Sequence, residues 1–244
     1  MSRSNVEGAK TELNSGVRGL IMSFGKSFAR YMYCRMLGFA AHSEQPDATH
    51  LPVFIGVASV HRPQRVVEFG SGSGYFSTLT FLDQTVFPSV LRADSYENNS
   101  EWMRRMQVRL AGNPRATCDF FEGRMRDAVS RADLAAADLI FIDDSLTGWE
   151  RAHTIKELAR VLPESTITIV HDYELPALRI ASRKFEHQVE FTTFTPQNCA
   201  VWNGNPHRRA LLESVARRLE ENASCLNVTG AGGWAKVFLS RTNG

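Results

Sequence analysis

With 244 residues, 43% of them hydrophobic and 22% charged, the chain can bury a core, which excludes wholesale disorder. Its formal net charge of +2 is too near neutral for a nucleic-acid surface. No run approaches the ~18–20 apolar residues of a membrane span, and the polar start from Met1 to Lys10 predicts no secretory signal.

In chain order, residues 1–60 read as an N-terminal helical cap. Val17, Leu20, Ile21, Phe24, Phe28, Tyr31 and Met32 recur at three- and four-residue steps, and a second helix is predicted over His50–Ser59. Residues 61–244 read as one α/β unit. Strands are predicted at Arg65–Phe69, Val90–Tyr96, Thr117–Phe121, Asp138–Asp143 and Thr166–Val170. Helices are predicted at Tyr75–Leu82, Glu101–Leu110, Asp127–Ala136 and Trp149–Leu162. That alternation implies a parallel sheet with helices on both faces. The tail departs from it, with a hairpin from Val189–Phe194 and Ala200–Trp202, a helix over Pro206–Asn222 and a last strand at Trp234–Leu239. The cysteines Cys34, Cys118, Cys199 and Cys225 lie far apart, as expected for reduced thiols in a cytoplasmic protein.

The most informative segment is Glu68-Phe69-Gly70-Ser71-Gly72-Ser73-Gly74, which ends a predicted strand and opens a helix. Glycines at alternate positions permit a tight turn and a close approach of ligand to backbone. A dinucleotide fingerprint starting at Gly70 would need a glycine where Tyr75 stands. Glu68 places a carboxylate before the loop, which disfavours a pyrophosphate and suits an ammonium or sulfonium group. Glu97 ends the next strand, where an acidic side chain accepts hydrogen bonds from ribose hydroxyls.

The glycine segment, followed by Ser95-Tyr96-Glu97-Asn98-Asn99 and Asp138-Leu139-Ile140-Phe141-Ile142-Asp143, resembles the class I S-adenosylmethionine-dependent methyltransferases over about residues 47 to 205. The resemblance implies a Rossmann-like sheet of seven strands, one of them antiparallel near its end. It implies that Glu68 holds the amino group of the methionine end and that Gly70, Ser71, Gly72 and Gly74 line the cofactor. Glu97 would clamp the ribose, Gly123 and Arg124 would border the adenine, and Asp143 would adjoin the cofactor from the fourth strand.

Catalytic groups are expected at the carboxyl ends of the fourth and fifth strands, where Asp143-Asp144 and His171-Asp172 stand. Clustered carboxylates suit a hard cation such as Mg²⁺, which would bind an acceptor oxygen and lower its pKa. The pattern resembles the metal-dependent O-methyltransferases, with Asp143 and Asp172 as the implied ligands. It departs from them in placing His171 beside Asp172, so a histidine base without metal is the competing expectation. The reading is methyl transfer to a small molecule, with a hydroxyl as preferred acceptor. An amine acceptor, a non-catalytic protein retaining the fold and an NAD-dependent oxidoreductase are its rivals. A homodimer is compatible with this reading.

Overall fold

The computed structural model describes residues 50–222, apart from 73, 75, 76, 146 and 193–195. Helix α1 (Leu51–His61) leads into β1 (Arg65–Phe69). The chain then alternates through α2 (Thr78–Leu82), β2 (Arg92–Glu97), α3 (Ser100–Arg109), β3 (Ala116–Phe120), α4 (Met125–Ala128), β4 (Leu139–Ile142), α5 (Gly148–Val161) and β5 (Ile167–His171). Helix α6 (Pro176–Ser182), strands β6 (His187–Phe191) and β7 (Asn198–Trp202), and helix α7 (His207–Asn222) follow.

The strands form one sheet of seven in the order β3-β2-β1-β4-β5-β7-β6. Strand β7 runs antiparallel to both its neighbours, and the remaining pairs are parallel. This is the seven-stranded sheet with one antiparallel strand that the sequence implies, and β6–β7 is the expected hairpin. Strand order reverses between β1 and β4, so a crevice opens at their carboxyl ends, where open α/β sheets bind ligands.

Side-chain alternation divides the core between the two faces of the sheet. Val66, Phe141 and Ile169 face Phe54 of α1, Phe81 of α2, Met106 of α3 and Leu212 of α7. Val67, Ile140, Ile142 and Val170 face Ala128 of α4, Ile155 of α5 and Leu178 of α6. Every residue from Leu51 to Ala58 is buried. The Phe54 ring packs 4.6 Å from Phe141 and 4.7 Å from Phe81, so α1 is a layer of the sheet's own core.

The rest of the expected cap, including Tyr31, Tyr33 and Phe39, lies outside the described residues, as does the strand expected at Trp234–Leu239. The helix expected over Asp127–Ala136 is in fact a single turn, Met125–Ala128. After that turn the Ser130 hydroxyl donates to the Asp127 carbonyl, and the Asp133 carboxylate pairs with Arg65 of β1 at 2.6 Å. Among the described residues no helix is long and apolar enough to cross a membrane.

Candidate functional site

The glycine loop passes directly against the end of β4. Gly70 has φ +85°, and a Cβ there would fall inside the backbone of Asp143 and Asp144. Only glycine allows this approach. Gly72 follows at φ +56°, where an added Cβ would meet nothing nearer than the Trp102 ring at 3.7 Å, so the loop presents open backbone on that side.

Beneath the loop, Glu68 is 1% exposed. Its Oε2 accepts hydrogen bonds from the Thr78 hydroxyl at 2.5 Å and the Ser95 hydroxyl at 2.8 Å. Burial pushes its carboxyl pKa up. Among the described residues its buried Oε1 has no hydrogen-bond partner, and neither does the buried Ser71 hydroxyl. Such groups ordinarily have partners, so two orphaned polar atoms at one strand end mark a place for a polar ligand.

Glu97, at the end of β2, is 3% exposed. Its Oε2 accepts from the Gly72 amide at 2.7 Å, and its Oε1 accepts from the amides of Asn98 at 2.9 Å and Asn99 at 2.8 Å. Desolvation raises its pKa to about 7 against the pull of these three amides. A carboxylate has about four acceptor positions, so there is room for one further donor before the Gly72 contact must yield. Asn98 reaches across to donate to the Gly123 carbonyl at 3.0 Å, which brings the turn after β3 beside Glu97. Arg124 follows, exposed, as the N-cap of α4. The structure therefore gathers Gly70, Ser71, Gly72, Gly74, Glu97, Gly123 and Asp143 along the carboxyl ends of β1 to β4.

The acidic end holds a residue that sequence reasoning missed. Arg151, on the first turn of α5, is 2% exposed and bridges the carboxylates expected to bind a metal. Its Nη2 lies 2.6 Å from Asp143 Oδ1, its Nη1 3.1 Å from Asp172 Oδ2 and its Nε 3.6 Å from Asp144 Oδ1. It also donates to the carbonyls of Ser145 at 2.6 Å and His171 at 3.0 Å. Asp144, the second acidic residue after the fourth strand, is buried against Arg151 and accepts from the Thr154 hydroxyl. Burial raises its pKa to about 6, with Arg151 opposing. Asp172 sits at φ +56°, a left-handed conformation that aspartate tolerates better than most residues, and its carboxylate is tied to Arg151.

His171 ends β5 with its side chain 6% exposed. Asn198 stands directly opposite it on β7, and the His171 Nδ1 lies 3.1 Å from the Asn198 Oδ1. An amide oxygen accepts and does not donate, so with the Asn198 amide in this orientation the ring proton belongs on Nδ1 and Nε2 is the basic nitrogen. Nε2 faces Asp172 Oδ1 at 3.9 Å. One ligand-type atom each from Asp143, His171 and Asp172 lies within 4.8 Å of the others. His50, at the start of α1, makes no side-chain cap bond. Its ring stands edge-on to His171, with centroids 5.5 Å apart. Thr49 lies outside the described residues. Tyr173 turns into the core, 1% exposed under Arg179, and Trp149 is 72% exposed.

The sequence model of a family described as a methyltransferase domain matches residues 67–173, the span from β1 to the turn after β5. No curated protein matches the sequence. Among solved structures, cofactor-bound Rv0187 from MTB is 18% identical with a TM-score of 0.52, the match covering 67% of this chain and 84% of that one. A candidate caffeoyl-CoA O-methyltransferase from Staphylococcus aureus is 12% identical with a TM-score of 0.50, covering 71% of this chain and 91% of that one. Both are likenesses of fold.

Proposed function

We propose, from the premise that this chain carries a class I S-adenosylmethionine-dependent methyltransferase domain, that it methylates the hydroxyl oxygen of a small molecule, with His171 as the base. The observation that carries this reading is the contact between the His171 Nδ1 and Asn198 Oδ1. It supports Nε2 as the basic nitrogen, at the same sheet end as the glycine loop.

The loop fits the cofactor on two grounds. The orphaned Glu68 Oε1 and Ser71 hydroxyl match polar groups at the methionine end, and the open backbone at Gly72 accepts close approach. Glu97 takes a ribose hydroxyl, while Gly123 and Arg124 border the adenine. When bound, S-adenosylmethionine supplies a methyl group already activated by its sulfonium. The protein's share is to orient the acceptor and remove its proton. In this reading the acceptor O–H gives its proton to Nε2, and the imidazolium so formed is stabilised by the Asp172 carboxylate. Asn198 keeps the ring from turning.

Two measurements test the two halves. Calorimetry is expected to give micromolar binding of S-adenosylhomocysteine and none of NAD. Lowering the pH through 7 protonates Glu97 and removes the charge to which a ribose hydroxyl donates, so binding weakens in acid. Between pH 8 and pH 6 the ionised fraction of a group titrating near 7 falls about tenfold, and affinity is expected to fall with it. Glu97→Gln should flatten that dependence, and tighter binding of NAD would sink the cofactor assignment. For the acceptor, a phenol and the matching aniline are offered together with labelled cofactor. Label on oxygen is expected, and label mainly on nitrogen would favour the amine reading.

A further inference from the structure

We infer that the Arg151 guanidinium is the resident cation of the strand-end acidic cluster, and that it takes the place of the divalent metal the pattern of carboxylates suggests. The inference rests on the methyl-transfer reading only for its consequence, a reaction that runs without a metal at this position.

The carboxylates that would bind a metal are already spoken for. The Nη atoms of one planar guanidinium donate to Asp143 and Asp172 and to the backbone carbonyls of Ser145 and His171, while its Nε lies 3.6 Å from the buried Asp144 carboxylate, a charge contact beyond hydrogen-bond length. Its side chain is 2% exposed, against 36% for Asp143 and 29% for Asp172, so the cation sits behind the acids and they screen it from the crevice. A magnesium ion demands near-octahedral oxygen ligands at ~2.0–2.1 Å. It would have to share Asp143 and Asp172 with a fixed positive charge in direct contact with both, and the two cations would repel. The placement of Arg151 points the same way. A cation in the first turn of a helix opposes the positive end of the helix dipole, so the acids rather than the helix hold it there. Arg151 touches no reacting atom in this account. It is a positioning residue that aims Asp172 at His171 and offsets the charge of the cluster.

The test is Mn²⁺ uptake by the full chain, followed through the paramagnetic resonance signal of the free ion. It needs neither cofactor nor turnover, so its outcome is independent of whether the acceptor is an oxygen. The wild-type protein is expected to take up no Mn²⁺ that depends on Asp143 up to millimolar concentration. Arg151→Gln keeps amide donors and deletes the charge, so it should gain a site at least roughly tenfold tighter than the wild type, lost again when Asp143→Asn is added. Micromolar Mn²⁺ binding by the wild type that Asp143→Asn abolishes would overturn the inference, as would a folded Arg151→Gln that gains no site. If Arg151→Gln does not fold, the comparison of wild type with Asp143→Asn decides alone: equal uptake supports the inference, and uptake lost in the variant refutes it.

Discussion

His171→Ala is expected to slow methyl transfer ~10²–10⁴-fold, the range for losing a positioned general base. Affinity for S-adenosylhomocysteine should stay within about twofold, since the residue acts on the acceptor and not on the cofactor. The prediction follows from three contacts: Asn198 at Nδ1, Asp172 Oδ1 at 3.9 Å from Nε2 and the His50 ring edge-on. Asn198→Ala leaves the base in place and only frees its ring, so its rate should fall less than that of His171→Ala. The two effects should also fail to add in the double variant, because both act through one imidazole. Because His171 is buried, His171→Asn serves as a variant of similar polarity that should fold. Rates unchanged in both His171 variants would remove the base and leave proximity alone, which suits a nitrogen acceptor.

The second large effect is on folding. Gly70→Ala should destabilise the protein by about 2–5 kcal/mol, the sum of left-handed strain and a clash that well-packed surroundings cannot absorb. The clash is with backbone, at Asp143 and Asp144, so no side chain can swing aside. Gly112→Ala is the matched control. Gly112 has a similar φ of +78° but nothing within 4 Å of an added Cβ, so it should cost only about 1–2 kcal/mol. Chemical denaturation of both variants separates strain from collision. Equal losses would mean that the approach of the β1 loop to β4 is not what requires glycine.

The sheet was legible because its strands are short apolar runs with few alternatives. Phe141 and Ile142 are buried whichever face they take, and the β-branched run at Thr166–Val170 could hardly be anything but a strand. The glycine loop was legible for a related reason: φ values of +85°, +56° and +71° at Gly70, Gly72 and Gly74 leave their trace directly in composition. Groups that act through tertiary contact left no such trace. Arg151 lies in a helix whose sequence reads as an ordinary amphipathic face, and its role appears only when α5 is laid across the ends of β4 and β5. Asn198 pairs with His171 through an antiparallel register that neither segment encodes alone.

The central claim is that the cofactor loop and the His171 base open on one crevice. A crystal structure with S-adenosylhomocysteine tests it most directly. The account predicts the ribose on Glu97, the amino acid end over Gly70 and Ser71, and the vacant methyl position facing the Nε2 of His171 with no metal among Asp143, Asp172 and His171. A ligand bound away from Glu97, or a sulfur from which His171 is shielded by protein, would contradict it.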